Sequence, residues 1–173
     1  MSGPEPRLLR VLALAAAVGF FGTSSPAHAD DAIVTYKSIA PDAAFELART
    51  ALATCRTNGY QVAVVVLDRF GAPLVTMRDR FTPAGALDIA NGKAWTAGTF
   101  TRDTADFVKG IKDGTLSAGL ANLPRVTPLV GGLVIQAGGS LLGSVGVAGA
   151  PGGDKDEACA KAGLESVRDK LEF

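Results

Sequence analysis

The sequence predicts an α+β domain with one mostly antiparallel sheet. Two hairpin signatures, set among helix-periodic stretches, carry that prediction. Gln61–Asp68 and Leu74–Met77 are apolar runs joined through Arg69–Gly71. Leu133–Ala137 and Ser140–Val147 flank Gly138-Gly139, a dipeptide that two-residue hairpin turns favour because they need φ > 0. The order along the chain is helix, hairpin, helices, hairpin, helix.

Residues 1–29 read as a signal peptide. Arg7 and Arg10 form a basic start, and Val11–Gly22 is an apolar core too short to span a bilayer. Ala27-His28-Ala29 supplies a small-x-small cleavage pattern, which places the mature start at Asp30. No cysteine follows the apolar core, so no lipid anchor is indicated. The expectation is an exported protein, periplasmic or secreted, without membrane insertion once the signal is removed.

The mature chain then has 144 residues, 15 basic and 16 acidic. That length suits one domain with a real core. So even a charge balance gives no electrostatic footprint for nucleic acid. The one histidine, His28, lies inside the predicted signal peptide, so the mature protein has no imidazole and no nucleophilic triad of the Ser-His type. Walker and dinucleotide-binding glycine patterns are absent as well. Cys55 and Cys159 both remain, in a compartment where disulfides persist.

Residues 30–43 are assigned as a leader; Asp30–Lys37 within it reads as an arm or a first edge strand. Pro41 suits the first turn of a helix, and Ala44, Leu47, Ala48, Ala51 and Cys55 then recur on one face until Asn58-Gly59. The run from Gln61 is apolar without alternation, which predicts a central strand covered on both faces. Pro73 assigns its partner to the sheet edge, since proline cannot donate to a ladder. Leu87–Ala97 is helical, with Ala86, Ala90, Ala94 and Ala97 as a face of small residues. Thr101–Gly110 and Leu116–Leu123 read as short helices, and Pro124 and Pro128 bracket an extended stretch before the second hairpin. Gly143 and Gly146 inside the last strand mark a bulge or a close approach of another backbone or a ligand. Asp154 and Asp156 are expected to cap a final helix that runs to the C-terminus, with Ala160, Leu164, Val167 and Leu171 inward.

Three blocks in this order, VAVVVLDRFGAPLVTMRDR, KAWTAGTF and GGLVIQAGGSLLGSVGVAGAPGGDKDEACAKAGLE, resemble the GlcG/HbpS-like family of haem-binding proteins. The resemblance covers residues 44–173. It implies a profilin-like sandwich, a five-stranded antiparallel sheet with helices on both faces, assembled as a homo-oligomer. It also implies that the first and last helices run oppositely on one face, bringing Cys55 near Cys159. Either a disulfide or two buried thiols would follow.

The resemblance implies haem or another tetrapyrrole as cofactor. Haem iron takes His, Cys, Met or Tyr from the protein. Related sequences carry a histidine in or after the Arg-Asp-Arg loop, where this chain has Phe81–Ala86 instead. Met77, Tyr60, Tyr36 or a reduced cysteine remain as ligands, as does haem without a strong axial bond; Met77 reads first as a strand side chain packed against the core. Arg78 and Lys93 could pair a propionate or another small carboxylate, or lie on solvated surfaces. Trp95 and Phe100 could stack on a flat ring or pack inside. Gly131 and Gly132 could admit a planar ligand or accommodate a turn. Asp68, Asp79, Asp154 and Asp156 fit no calcium-loop spacing and read as turn and capping residues.

The function expected is an exported haem- or tetrapyrrole-binding accessory protein without catalytic turnover. An oligomeric assembly protein is the alternative, followed by an enzyme or binder for a small glycolate-type carboxylate.

Overall fold

A computed structural model describes residues 34–172, which from residue 35 onward form one compact unit. The expected signal peptide lies outside the described residues. The elements are α1 (Pro41–Thr57), β1 (Ala63–Asp68), β2 (Pro73–Arg78), α2 (Gly85–Phe100), α3 (Thr104–Lys112), a 3-10 turn (Ala118–Asn122), β3 (Gly132–Ala137), β4 (Ser140–Ala148), α4 (Gly153–Glu165) and α5 (Arg168–Leu171).

The sheet is antiparallel throughout, in the order β2-β1-β4-β3. Strand alternation explains the continuous apolar run of β1. Val64 and Val66, with Val62 just before the strand, face a core roofed by α1 and α4, while Ala63, Val65 and Leu67 face α2. Helices therefore cover both faces, and β1 is central as the sequence predicts.

Among the described residues the sheet has four strands, not the five implied by the family resemblance. The segment before α1 is the place for another strand. There the Ile39 N–H donates to the Leu142 carbonyl at 2.9 Å, but no strand forms among the described residues. Ile39 is nevertheless buried in the α1 core.

On the α2 side the packing is backbone against backbone. A methyl group on Gly146 would lie 2.0 Å from the Ala90 carbonyl oxygen and 2.7 Å from the Ala94 nitrogen. The glycine in β4 and the alanines of α2 thus fit one another. The free edge of β3 is closed by side chains: Asp103 Oδ1 accepts the Val134 N–H at 2.8 Å, and Thr104 Oγ1 accepts the Gly132 N–H at 2.9 Å. These bonds occupy groups that would otherwise be open to another strand.

Cys55 of α1 and Cys159 of α4 are joined, Cα atoms 5.5 Å apart, inside the core that these helices share. The final helix does not run to the C-terminus in one piece. It breaks at Ser166–Val167, and the Ser166 hydroxyl donates to the Gly163 carbonyl at 2.7 Å. The α4 N-cap is Gly152, with no side-chain cap; neither Asp154 nor Asp156 takes that position.

Candidate functional site

The centre of the candidate site is a buried ion pair. Lys93, in the middle of α2, is 3% exposed, and so is Asp156 in the first turn of α4. The Lys93 ammonium donates to Asp156 Oδ2 at 2.7 Å and to the Val147 carbonyl of β4 at 2.8 Å. Asp156 Oδ1 accepts the Ala150 N–H at 2.9 Å, fixing the glycine-rich loop ahead of α4. Burial pushes the Asp156 carboxyl above its ordinary value, against the opposing pull of the Lys93 hydrogen bond. The reading of Lys93 as a solvated helix residue is thereby replaced, as is that of Asp156 as a cap.

Gly131 and Gly132 belong to this pair. Gly131 has φ +120°, and a side chain there would meet the Asp156 Cβ at 2.8 Å and the Lys93 Nζ at 3.0 Å. A methyl on Gly132 would meet the Lys93 carbonyl oxygen at 2.4 Å. Both glycines let the lysine and the aspartate close over the start of β3.

Above the pair opens a groove of about 560 Å³, a size typical of small-molecule sites. Ile89, Val108, Pro128, Leu129 and Val130 give it apolar walls, and Ala148–Gly153 form the opposite rim. Ile89 and Leu129 are exposed. The sequence held one signal for this wall: Ile89 precedes Lys93 by four residues, so both share a helix face outside the alanine stripe.

The other residues singled out in the sequence lie elsewhere. Met77 is half-buried against the α1 core. Arg78 is exposed at the end of β2, and its guanidinium donates to the Thr82 carbonyl at 3.0 Å, holding the 79–84 loop. Asp79, beside it, is buried and bonded by Arg56 at 2.8 Å and 3.1 Å, which holds its carboxyl below the ordinary value. Trp95 is half-buried, with the Arg125 guanidinium 4.9 Å from its ring centre. It lines a separate cavity of about 120 Å³, too small for a planar macrocycle by the usual size of such sites. Phe100 packs on Phe107, ring centres 4.7 Å apart. Asp68 is a turn residue, its Oδ1 accepting from the Phe70 and Ala72 N–H groups. Asp154 is on the groove rim, paired with Lys155 at 3.1 Å.

Tested against haem, the groove divides the question in two. Its volume and apolar walls fit the faces of a macrocycle. Its donor set does not fit iron: no His, Cys, Met or Tyr lines it. Both cysteines are in the disulfide, and Met77 and Tyr60 pack against the α1 core. Tyr36 meets Phe70 edge-to-face, with Arg69 over its ring. Among the described residues no cluster of three His, Cys, Asp or Glu side chains could hold a metal ion.

Comparisons with known proteins agree with this architecture. The family model described as haem degrading protein, HbpS-like, matches residues 39–165. A double mutant of Streptomyces reticuli HbpS is 30% identical, with a TM-score of 0.75 over 91% of this chain and 99% of that one. The Klebsiella pneumoniae protein ORFY is 24% identical, with a TM-score of 0.73 over 78% of this chain and 94% of its own. A PduOC–haem complex is 23% identical, with a TM-score of 0.69 over 75% of this chain and 94% of its own. At those identities the last two bear on fold alone. No curated protein sequence matches. A family match over residues 39–165, with 30% identity to HbpS over most of the chain, settles the relationship: this protein belongs to the HbpS-like haem degrading protein family.

Proposed function

We propose that this chain is an exported haem- or tetrapyrrole-binding accessory protein that acts without catalytic turnover. The observation that carries the reading is the groove of about 560 Å³ over the Lys93–Asp156 pair, in a chain of a haem-related family. Its apolar walls suit the faces of a planar ring. Lys93 has three donors and uses two of them, so one is left for a ligand carboxylate such as a propionate.

Titration of the protein with ferric haem tests this, read by the haem absorbance band and by quenching of Trp95, its single tryptophan. Saturation at one haem per subunit or per dimer is expected. Leu129→Glu and Ile89→Glu, both at exposed wall positions, should weaken binding by about tenfold or more, because each puts a charge against the ring. Loss of binding with Arg78→Ala but not with Leu129→Glu would move the site to the end of β2. Association no stronger than with an unrelated protein would remove the haem reading.

A second reading, an oligomeric assembly protein, is favoured by its own observation. Tyr36, Phe45, Phe70 and Phe81 are all exposed. Light scattering of ligand-free protein tests it: a stable oligomer supports assembly, and a monomer without ligand argues against it.

A further inference from the structure

We infer that the groove holds a tetrapyrrole by its ring and its carboxylates, not through a protein bond to iron; this rests on the haem-binding reading above. The argument is a placement of ligand-type side chains. Iron in a protein-held macrocycle takes imidazole, thiolate, thioether or phenolate. In this chain every described group of those kinds lies outside the groove lining. Cys55 and Cys159 are bonded to each other in the α1/α4 core. Met77 and Tyr60 pack against that same core, on the sheet face opposite α2. Tyr36 lies under the Arg69 guanidinium, 4.7 Å from its ring centre. The groove is instead built by α2, α3, the stretch before β3, and the loop leading into α4.

What the groove presents to a ligand is apolar wall, glycine backbone and one buried ammonium. Those features recognise ring faces and a carboxylate, and neither interaction depends on the central metal. Asp156 is no substitute ligand, since its Oδ2 receives Lys93 and its Oδ1 receives the Ala150 N–H. Asp154 is at the rim, with Lys155 beside it. The selectivity is therefore for the macrocycle: a metal-free porphyrin with the same propionates satisfies the same contacts.

The test compares ferric haem with metal-free protoporphyrin IX on the full chain, both followed by Trp95 quenching. The two dissociation constants should agree within about threefold, which is under 1 kcal/mol. Leu129→Glu should weaken both equally. The spectrum of the haem complex should be unchanged in Tyr36→Phe, Tyr60→Phe and Met77→Leu. Haem binding more than about tenfold tighter than the metal-free ring, with a spectrum altered by one of those three substitutions, would overturn the inference, name the axial ligand and leave the haem-binding reading intact. If neither compound saturates, the haem-binding reading fails and this inference with it.

Discussion

Asp156 reads in the sequence as one more acidic residue near a helix start, yet it holds three elements together. Its two oxygens receive α2 through Lys93 and the loop before α4 through Ala150. A buried pair of this kind adds little net stability when made, but breaking it strands a charge. Lys93→Met should therefore lower stability by about 3–5 kcal/mol in urea denaturation. Combining Lys93→Met with Asp156→Leu should cost less than the two single losses added, since the double variant buries no lone charge. Additive losses would show that the pair does not interact in the folded protein.

Asp103 supplies a pH test. It accepts the Val134 N–H at the β3 edge, and burial, with Glu157 and Asp106 nearby, holds its carboxyl above the ordinary 3.8, while Lys161 pulls it down. Because its folded value is raised, the folded state keeps the proton longer than the unfolded chain does. Its contribution is then fully present below 3.8 and is lost as pH rises through the folded value. Asp103→Asn keeps an acceptor for Val134 and should flatten that part of the stability curve above pH 3.8. An unchanged slope in the variant would assign the effect to another group.

At the scale of elements, the α1–α4 pair and the α2–sheet contact are built on different physics. The first is a large apolar core crossed by a disulfide that closes a sequence separation of 104 residues. In the chain-entropy account such a loop stabilises by about 4–5 kcal/mol, so Cys55→Ala with Cys159→Ala should lower the thermal midpoint markedly, and a change near zero would contradict the linkage. The second contact depends on missing side chains. Gly146→Ala pushes a methyl into the α2 backbone and should cost about 1–3 kcal/mol, measurable in the same urea experiment. An unaffected Gly146→Ala would mean that α2 can move off the sheet.

Over the whole molecule, the reading of residues 1–29 as a signal peptide predicts a mature N-terminus at Asp30 when the chain is expressed with its own leader in an exporting host. Mass spectrometry of the exported protein checks this, and an intact Met1 would refute it. No helix among the described residues is long and apolar enough to cross a membrane.

Features that depend on local pattern were legible in the amino-acid order. The apolar run of β1, Pro73 in β2, Gly138-Gly139 with both φ positive, and the alanine stripe of α2 each carry a local physical reason, and all fell in place. Tertiary structure decided what depends on distance along the chain. Lys93 and Asp156 are separated by 63 residues, and no periodicity reveals that they meet, or that Gly131 and Gly132 serve their packing. The groove walls come from α2, α3, the Pro128–Val130 stretch and the loop before α4, so no single segment displays them. The strand count followed the same division: the two hairpins supply four strands legible in the residues, whereas a fifth, open in the sequence as an arm or edge strand and implied by the resemblance, is not among the described strands. Pattern fixes elements because their hydrogen bonds are local, whereas a site is fixed by which side chains the packed elements leave facing one another.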